Sequence, residues 1–445
     1  MAKERDQAKD RPQYQGRIHQ MQKDLMARWM GELEQAARNS EPTACLLVAG
    51  SNLAMLLRCL GIHQVYPELN ALQLAIRKQS LPYIQIAEER GYSTDVCSYV
   101  KADIGAFFAG NMSSLGTELP KPSIVLSCFS GCNVYIKWFE HIAAYTGAPL
   151  YVIDIPFIRS GEDPCPDDID YVVKQLKEVI ELCQKISGKN LDYDQLRESL
   201  ALAREMERLW SQIKELTKNI PSPYDDYFDC ITLMGPFVAF RGTQEGVDFL
   251  RTALQEFEER VRLGIGPIPQ EKFRIVVESA PPYPFFRTFR DLFTKWGACA
   301  VGSTYTTPQP GDFLHDPDRP LESLAEYPIR IFTNRGLLQR YELLQRYIKE
   351  RSADALIIHS VKSCRLFSVG HGDMRNYFST NLAIPTLMLE SDLEDPRYFF
   401  EAQMKNRVDA FFEVLEHKKY LAVRDQQSAK LESSPESRAS GPKSA

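Results

Sequence analysis

Three of the ten cysteines in this 445-residue chain stand where a strand or turn hands over to a helix. Cys132 closes the segment Ser127-Cys128-Phe129-Ser130-Gly131-Cys132, directly after the apolar run SIVL, and a helical pattern (NVYIKWFEHIAAY) begins at Asn133. Cys364 closes His359-Ser360-Val361-Lys362-Ser363-Cys364 at the end of a second apolar run, ALII, with Lys362 and Arg365 adding positive potential. Cys97 follows the turn Gly91-Tyr92-Ser93 and opens the stretch CSYVKADIGAFF. At a helix start the unpaired N–H groups and the positive end of the dipole favour thiolate, the form required of a nucleophile or a metal ligand. Cys128 lies close enough along the chain to Cys132 to reach the same place. The competing reading for any cysteine is a small core residue. Cys45, Cys183, Cys230 and Cys299 fall within strand or helix patterns and keep that reading, and Cys59 and Cys165 carry no other signal.

No histidine forms a ligand spacing with these thiols, which favours an all-thiolate centre, and so an iron–sulfur cluster, over zinc. Other chemistries lack their motifs. There is no G-x-x-x-x-G-K-[ST] and no strand-linked G-x-G-x-x-G; Gly264-Ile265-Gly266 lacks the third glycine and runs into prolines. H-E-x-x-H, G-x-S-x-G and paired C-x-x-C are absent as well. ATP chemistry therefore belongs to a partner.

The formal charge is -6, from 53 basic and 59 acidic residues, with no long basic run, so nucleic acid is not an expected partner. Hydrophobic residues at 44% and charged residues at 25% are those of an ordinary globular protein. No run of about 18 apolar residues exists and the N-terminus is polar, so no membrane partner and a cytoplasmic location are expected. In that compartment thiols stay reduced, and a disulfide framework is not expected.

The elements that must position the thiols follow from periodicity. Short apolar runs at 44–49, 123–127, 150–155, 273–278, 299–302, 355–360 and 385–390 read as buried strands, with helical stretches at 72–91 and 133–146 among them. Strands alternating with helices imply parallel, doubly wound sheets. From 167 to 217 only charged, periodic helix appears. The expected fold is α/β: two doubly wound parallel-sheet domains with a helical connecting domain. The expected boundaries are a flexible N-terminus at 1–16, a first α/β domain with an N-terminal helix at 17–160, and a helical connector at 161–227. A second α/β domain at 228–393, a C-terminal helix at 394–423 and a disordered tail at 424–445 complete the chain. Ligands in such sheets bind beyond the carboxyl ends of the strands.

At the cysteine loops the sequence resembles the 2-hydroxyacyl-CoA dehydratase and benzoyl-CoA reductase superfamily, and within it the reductase branch. The segments that carry the resemblance are Pro67-Glu68-Leu69-Asn70-Ala71, Arg77-Lys78-Gln79-Ser80 and Asp95-Val96-Cys97-Ser98-Tyr99-Val100-Lys101-Ala102-Asp103-Ile104-Gly105. Gly131-Cys132 leading into Ile136-Lys137-Trp138-Phe139-Glu140 and DYVVKQLK at 170–177 follow. The series ends with Gly235-Pro236, Ala239-Phe240-Arg241-Gly242-Thr243, IHSVKSC at 358–364 and Asp395-Pro396-Arg397-Tyr398-Phe399. The resemblance runs in order from about 40 to 415.

It implies a [4Fe–4S] cluster held by Cys97, Cys132 and Cys364, with Cys128 as the alternative to Cys132. It also implies a related companion subunit, an ATPase activator that carries the ATP site and a further cluster, ferredoxin as electron source, and an aromatic acyl-CoA substrate. Its ring would be reduced to a cyclohexadienoyl thioester, by a complex and not by this chain alone. No proton donor is evident; His359 reads as a structural histidine, and Lys137 and Arg365 as surface charges that could face a cluster or the CoA phosphates. The alternatives are a 2-hydroxyacyl-CoA dehydratase subunit, which eliminates water with a recycled electron, and a non-enzymatic two-domain scaffold whose cysteines are all core.

Overall fold

The computed structural model describes residues 16–128, 131–158, 163–307 and 313–432. Its eight strands form two four-stranded parallel sheets. In the first, β1 (Thr43–Leu46), β2 (His63–Val65), β3 (Ile124–Cys128) and β4 (Leu150–Ile153) lie in the order β2-β1-β3-β4. In the second, β5 (Phe273–Glu278), β6 (Ala298–Ser303), β7 (Ala355–Val361) and β8 (Thr386–Ser391) repeat that order as β6-β5-β7-β8. Every residue of β1, β3, β5 and β6 is buried, as strands covered by helices on both faces must be. The expected fold class is thus present. In each sheet the winding reverses between two adjacent strands, β1 and β3 or β5 and β7, and the loops leaving their carboxyl ends border a crevice.

Two local features differ from the periodicity. β2 is only His-Gln-Val, too short and too polar to register as an apolar run, yet it pairs with β1 from Thr43↔His63 to Cys45↔Val65. The stretch 72–91 holds two helices, Pro67–Ile76 and Ser80–Glu89. They part at Lys78, whose φ is 60°, and the amides of Lys78 and Gln79 return to the carbonyls of Ala75 and Leu74 at 2.8 and 2.7 Å. This is a left-handed helix stop made without glycine.

The helical layer draws on separate parts of the chain. Pro166–Ser187 begins on a proline, where a missing N–H costs nothing, and stops at Gly188 with φ 69°. Tyr193–Glu215 is capped by Asp192, whose carboxylate accepts from the amides of Asp194 and Gln195. Gln244–Leu263 packs along it and against the first helix, Arg17–Asn39, so the layer reaches past residue 227. A buried ionic knot joins the layer to both sheet domains. Glu207 accepts from the Arg241 guanidinium at 3.3 Å and meets His315 Nδ1 at 2.6 Å, and Arg241 reaches Ser51 Oγ at 3.4 Å.

The last helix, Glu401–Glu432, docks through Phe412, which stacks on Trp296, and through Asp409, which accepts from Trp296 Nε1 at 2.8 Å. It runs on past 423, through a stretch whose Gln, Ala, Lys, Leu and Glu residues are good helix formers. Residues 1–15 and 433–445, where flexible ends are expected, lie outside the described residues. No described helix is long and apolar enough to cross a membrane.

Candidate functional site

Cys97, Cys132 and Cys364 are each the residue before a helix: Ser98–Phe108, Asn133–Thr146 and the single turn Arg365–Ser368. Cys132 follows β3 and Cys364 follows β7, the equivalent strands of the two sheets, so the repeated topology delivers one thiol from each domain. Cys97 comes from the crossover between β2 and β3. The three meet: charge on Cys364 or Cys132 opposes charge on Cys97, and charge on Cys132 opposes charge on Cys364. All three keep part of their surface open.

Burial raises all three thiols, Cys97 well above its ordinary value, Cys132 upward, and Cys364 to about 12. The amides of Val100, of Val134 and Tyr135, and of Phe367 pull in the opposite direction, as expected for helix starts, and lose. The expectation that these positions favour thiolate is therefore corrected: burial outweighs the dipole. None of the three is a self-activated nucleophile, and each needs a cation to deprotonate it, which a coordinated metal does outright. Among the described residues no three His, Cys, Asp or Glu side chains form a set that could hold a single metal ion. Three converging thiols suit a cluster, whose irons each take one thiolate.

Cys128 is placed differently. It is the last residue of β3, 4% exposed, and it lines a small void with Leu53, Ile153, Val172 and Leu324, on the side of the helical layer. A Cβ on Gly50 would stand 3.2 Å from its sulfur. Phe129 and Ser130 lie outside the described residues. Gly131 has φ +88°, and a Cβ there would stand 2.1 Å from the Thr333 carbonyl oxygen. The turn bearing Cys132 thus rests directly on backbone of the second domain. Gly131→Ala is expected to cost about 1–3 kcal/mol, from a left-handed non-glycine and a steric clash, read as a lowered urea midpoint. An unchanged midpoint would contradict the close approach.

Hydrogen bonds tie the Cys97 and Cys364 turns together. The Ser98 amide donates to Ser363 Oγ at 3.2 Å, the two hydroxyls lie 3.3 Å apart, and the Ser363 amide donates to Asp392 Oδ2 at 3.0 Å. Lys101, on the Cys97 helix and 1% exposed, donates to Glu88 at 2.9 Å and to the Thr94 carbonyl at 2.8 Å. Arg397 donates to both Glu88 oxygens, at 2.6 Å to Oε1, which it shares with Lys101, and at 2.9 Å to Oε2.

A buried acid stands beside the thiols. Glu68 is 7% exposed and accepts from Tyr135 Oη at 2.7 Å and from the Val48 amide at 2.5 Å. Burial raises its pKa against both hydrogen bonds, and its charge acts on Cys132. A carboxylic acid that keeps its proton above the usual range is suited to proton donation. Sequence reasoning missed this role: Glu68 looked like one letter of a matching segment, and only its place at the start of a helix aimed at the β1 loop could have marked it. Tyr99, Tyr305 and Tyr283 add a chain of hydroxyls, at 3.3 and 2.5 Å, across the domain boundary.

Lys137 is exposed and paired with Glu140 on its own helix, and Arg365 is exposed. His359 is fully buried, its Nδ1 against the Ala280 carbonyl and its Nε2 2.6 Å from Ser391 Oγ, a structural group as expected. Burial pushes its pKa down to about 4. Because that lies below the unfolded value of about 6.5, the folded chain binds fewer protons in between. Its contribution is intact above pH ~6.5 and is lost as pH falls towards 4, by about 3 kcal/mol in all. His359→Gln should flatten that acid limb in denaturation midpoints taken across the range; an equally steep limb would contradict it.

Two doubly wound domains whose equivalent strands each bring a cysteine to one meeting point define a two-domain α/β protein with a sulfur-lined centre. The chain belongs to the family described as 2-hydroxyglutaryl-CoA dehydratase, D-component, whose pattern matches residues 54–415. It is 39% identical over 409 residues to the B subunit of benzoyl-CoA reductase from Thauera aromatica, covering 89% of this chain and 94% of that one. It is 30% identical over 362 residues to the (R)-2-hydroxyisocaproyl-CoA dehydratase alpha subunit of Clostridioides difficile, covering 81% and 87%. To the (R)-phenyllactyl-CoA dehydratase alpha subunit of Clostridium sporogenes it is 29% identical, covering 81% and 86%. The resemblance expected from the cysteine loops is borne out.

Proposed function

We propose that this chain is the iron–sulfur catalytic subunit of an ATP-dependent benzoyl-CoA reductase, with Cys97, Cys132 and Cys364 holding a [4Fe–4S] cluster. The observation that carries the reading is the convergence of three half-buried, helix-starting thiols from both domains, with Cys128 turned into the core. The higher identity to a benzoyl-CoA reductase subunit than to the dehydratase subunits supports the reductase branch. When bound, such a cluster supplies low-potential electrons one at a time, and three thiolates leave one iron for a non-protein ligand.

The chain's own residues do the rest. Cys97, Cys132 and Cys364 present sulfur from three loops, and Gly131 lets the Cys132 turn sit against Thr333. Glu68 offers a buried carboxyl whose pKa burial raises, and Tyr135 orients that carboxyl through the 2.7 Å hydrogen bond. Reducing an aromatic thioester to a cyclohexadienoyl thioester consumes electrons and protons in equal number. The electrons come from ferredoxin through an ATPase activator bearing its own cluster, since this chain has no phosphate loop, and a related companion subunit completes the substrate-binding module. Protons can pass through Glu68. The complex works in anaerobic breakdown of aromatic compounds, in the cytoplasm.

The family description and the dehydratase relatives favour a second reading, elimination of water from a 2-hydroxyacyl-CoA at the same site. Anoxic assay of the complex with companion, activator, ATP and reduced ferredoxin decides between them. Loss of an aromatic acyl-CoA with formation of the cyclohexadienoyl thioester is the expected result. Turnover of 2-hydroxyacyl-CoA alone would select the dehydratase, and turnover of neither would overturn both.

A further inference from the structure

The loop after β8 carries two buried acids in contrasting surroundings. Asp392, 2% exposed, accepts backbone N–H groups with both oxygens: from Ser363 at 3.0 Å on Oδ2, and from Glu394 and Asp395 at 3.2 Å each on Oδ1. Ser363 immediately precedes Cys364, and its hydroxyl faces Ser98, which immediately follows Cys97. The carboxylate thus holds the backbone of the Cys364 turn directly, and the Cys97 turn joins it through the Ser363 hydroxyl. Glu394, fully buried, has no hydrogen-bond partner for either side-chain oxygen. We propose that Asp392 is a positioning residue that sets the reduction potential of the centre, a negative charge held by three amides against the Cys364 turn so that electron addition is opposed. This rests on the cluster reading given above.

The surrounding charges leave that field standing. Asp392 accepts from the amide directly before Cys364, which places its carboxylate against that turn. Arg340, which acts the other way on Cys364, is committed to the buried Glu278. Lys362 is exposed and lies over the Tyr398 ring at 3.8 Å, close to Asp95. His359, which also feels Asp392, is held neutral by burial. Burial, followed by the charges of Asp392 and Asp103, pushes Glu394 well above the carboxylate range and keeps it uncharged. Adding an electron to the cluster adds negative charge, and a nearby anion in a poorly screened site makes that addition less favourable. A ring that resists reduction needs such a donor.

The test is potentiometric titration of the anoxically reconstituted full chain, followed by electron paramagnetic resonance, with iron content measured in parallel. Asp392→Asn should retain iron and show at least a tenfold higher reduced-to-oxidised ratio at the parent midpoint, a rise of about 59 mV for a one-electron couple. Asp392→Glu, which keeps the charge, should stay near the parent, as should Glu394→Gln, which replaces a neutral acid by a neutral amide. An unmoved midpoint in Asp392→Asn, an equal shift in Glu394→Gln, or loss of iron from Asp392→Asn would each overturn the inference, the last leaving Asp392 as a structural clip. If the parent chain takes up no cluster, it is the functional reading that fails.

Discussion

Replacing Cys97, Cys132 or Cys364 by Ala, one at a time, is expected to strip most of the iron from anoxically purified protein and abolish thioester reduction, while Cys128→Ala keeps iron near the parent level. On the proposed reading each of the three contributes one of only three thiolates. Cys128 instead fills space between Leu53, Ile153, Val172 and Leu324. Its truncation should register in stability, by about 1 kcal/mol, with at most a small spectral change. If all the cysteines were core residues, the four variants would behave alike, each losing about that much with no change in visible absorption. Loss of iron from Cys128→Ala with retention in Cys132→Ala would move the third ligand to the other end of the same loop.

Glu68→Gln should leave iron content near the parent level and lower the ring-reduction rate by roughly 10²–10⁴-fold, the range for removal of a positioned proton donor. The amide oxygen can still accept from the Val48 amide while the NH2 takes the place of the oxygen that met Tyr135, whose hydroxyl can turn to accept, and the side chain has no acidic proton to give. Because burial raises the Glu68 pKa, its acid form persists to higher pH than an exposed glutamate, and the parent rate should fall as pH rises through that raised value. Glu68→Gln should lack this limb. The Tyr135 hydrogen bond lowers the pKa, so Tyr135→Phe should move the limb to still higher pH. A parent-like rate and pH profile in Glu68→Gln would exclude it as the donor.

Much of the frame was legible because buried parallel strands announce themselves: SIVL, FRIVVE and ALII each hold at least three consecutive apolar residues, and those residues lie in strands of the structure. The helix starts at Asn133 and Arg365 were readable for the same reason, since each follows a strand that must end. β2 escaped because His-Gln-Val owes its place to β1, not to its own pattern. The thiol positions were legible but their protonation was not: the dipole is a local property, whereas burial depends on which residues the fold brings around each sulfur. Glu68 and Asp392 were hidden for that reason too. An acid in sequence is a surface residue by default, and only the Val48, Tyr135 and Ser363 partners reveal these two as interior groups.

The central claim, that three thiols at the meeting of the two domains hold a cluster with one iron not bound by cysteine, is tested most directly by Mössbauer spectroscopy of the ⁵⁷Fe-enriched parent protein purified without oxygen. Iron and acid-labile sulfide are measured on the same sample. The expected result is equal amounts of iron and sulfide, one cubane per chain, with a minor iron component resolved from the thiolate-bound majority. Protein that carries neither iron nor sulfide after anoxic purification and reconstitution, or a cubane whose irons are all alike, would contradict it.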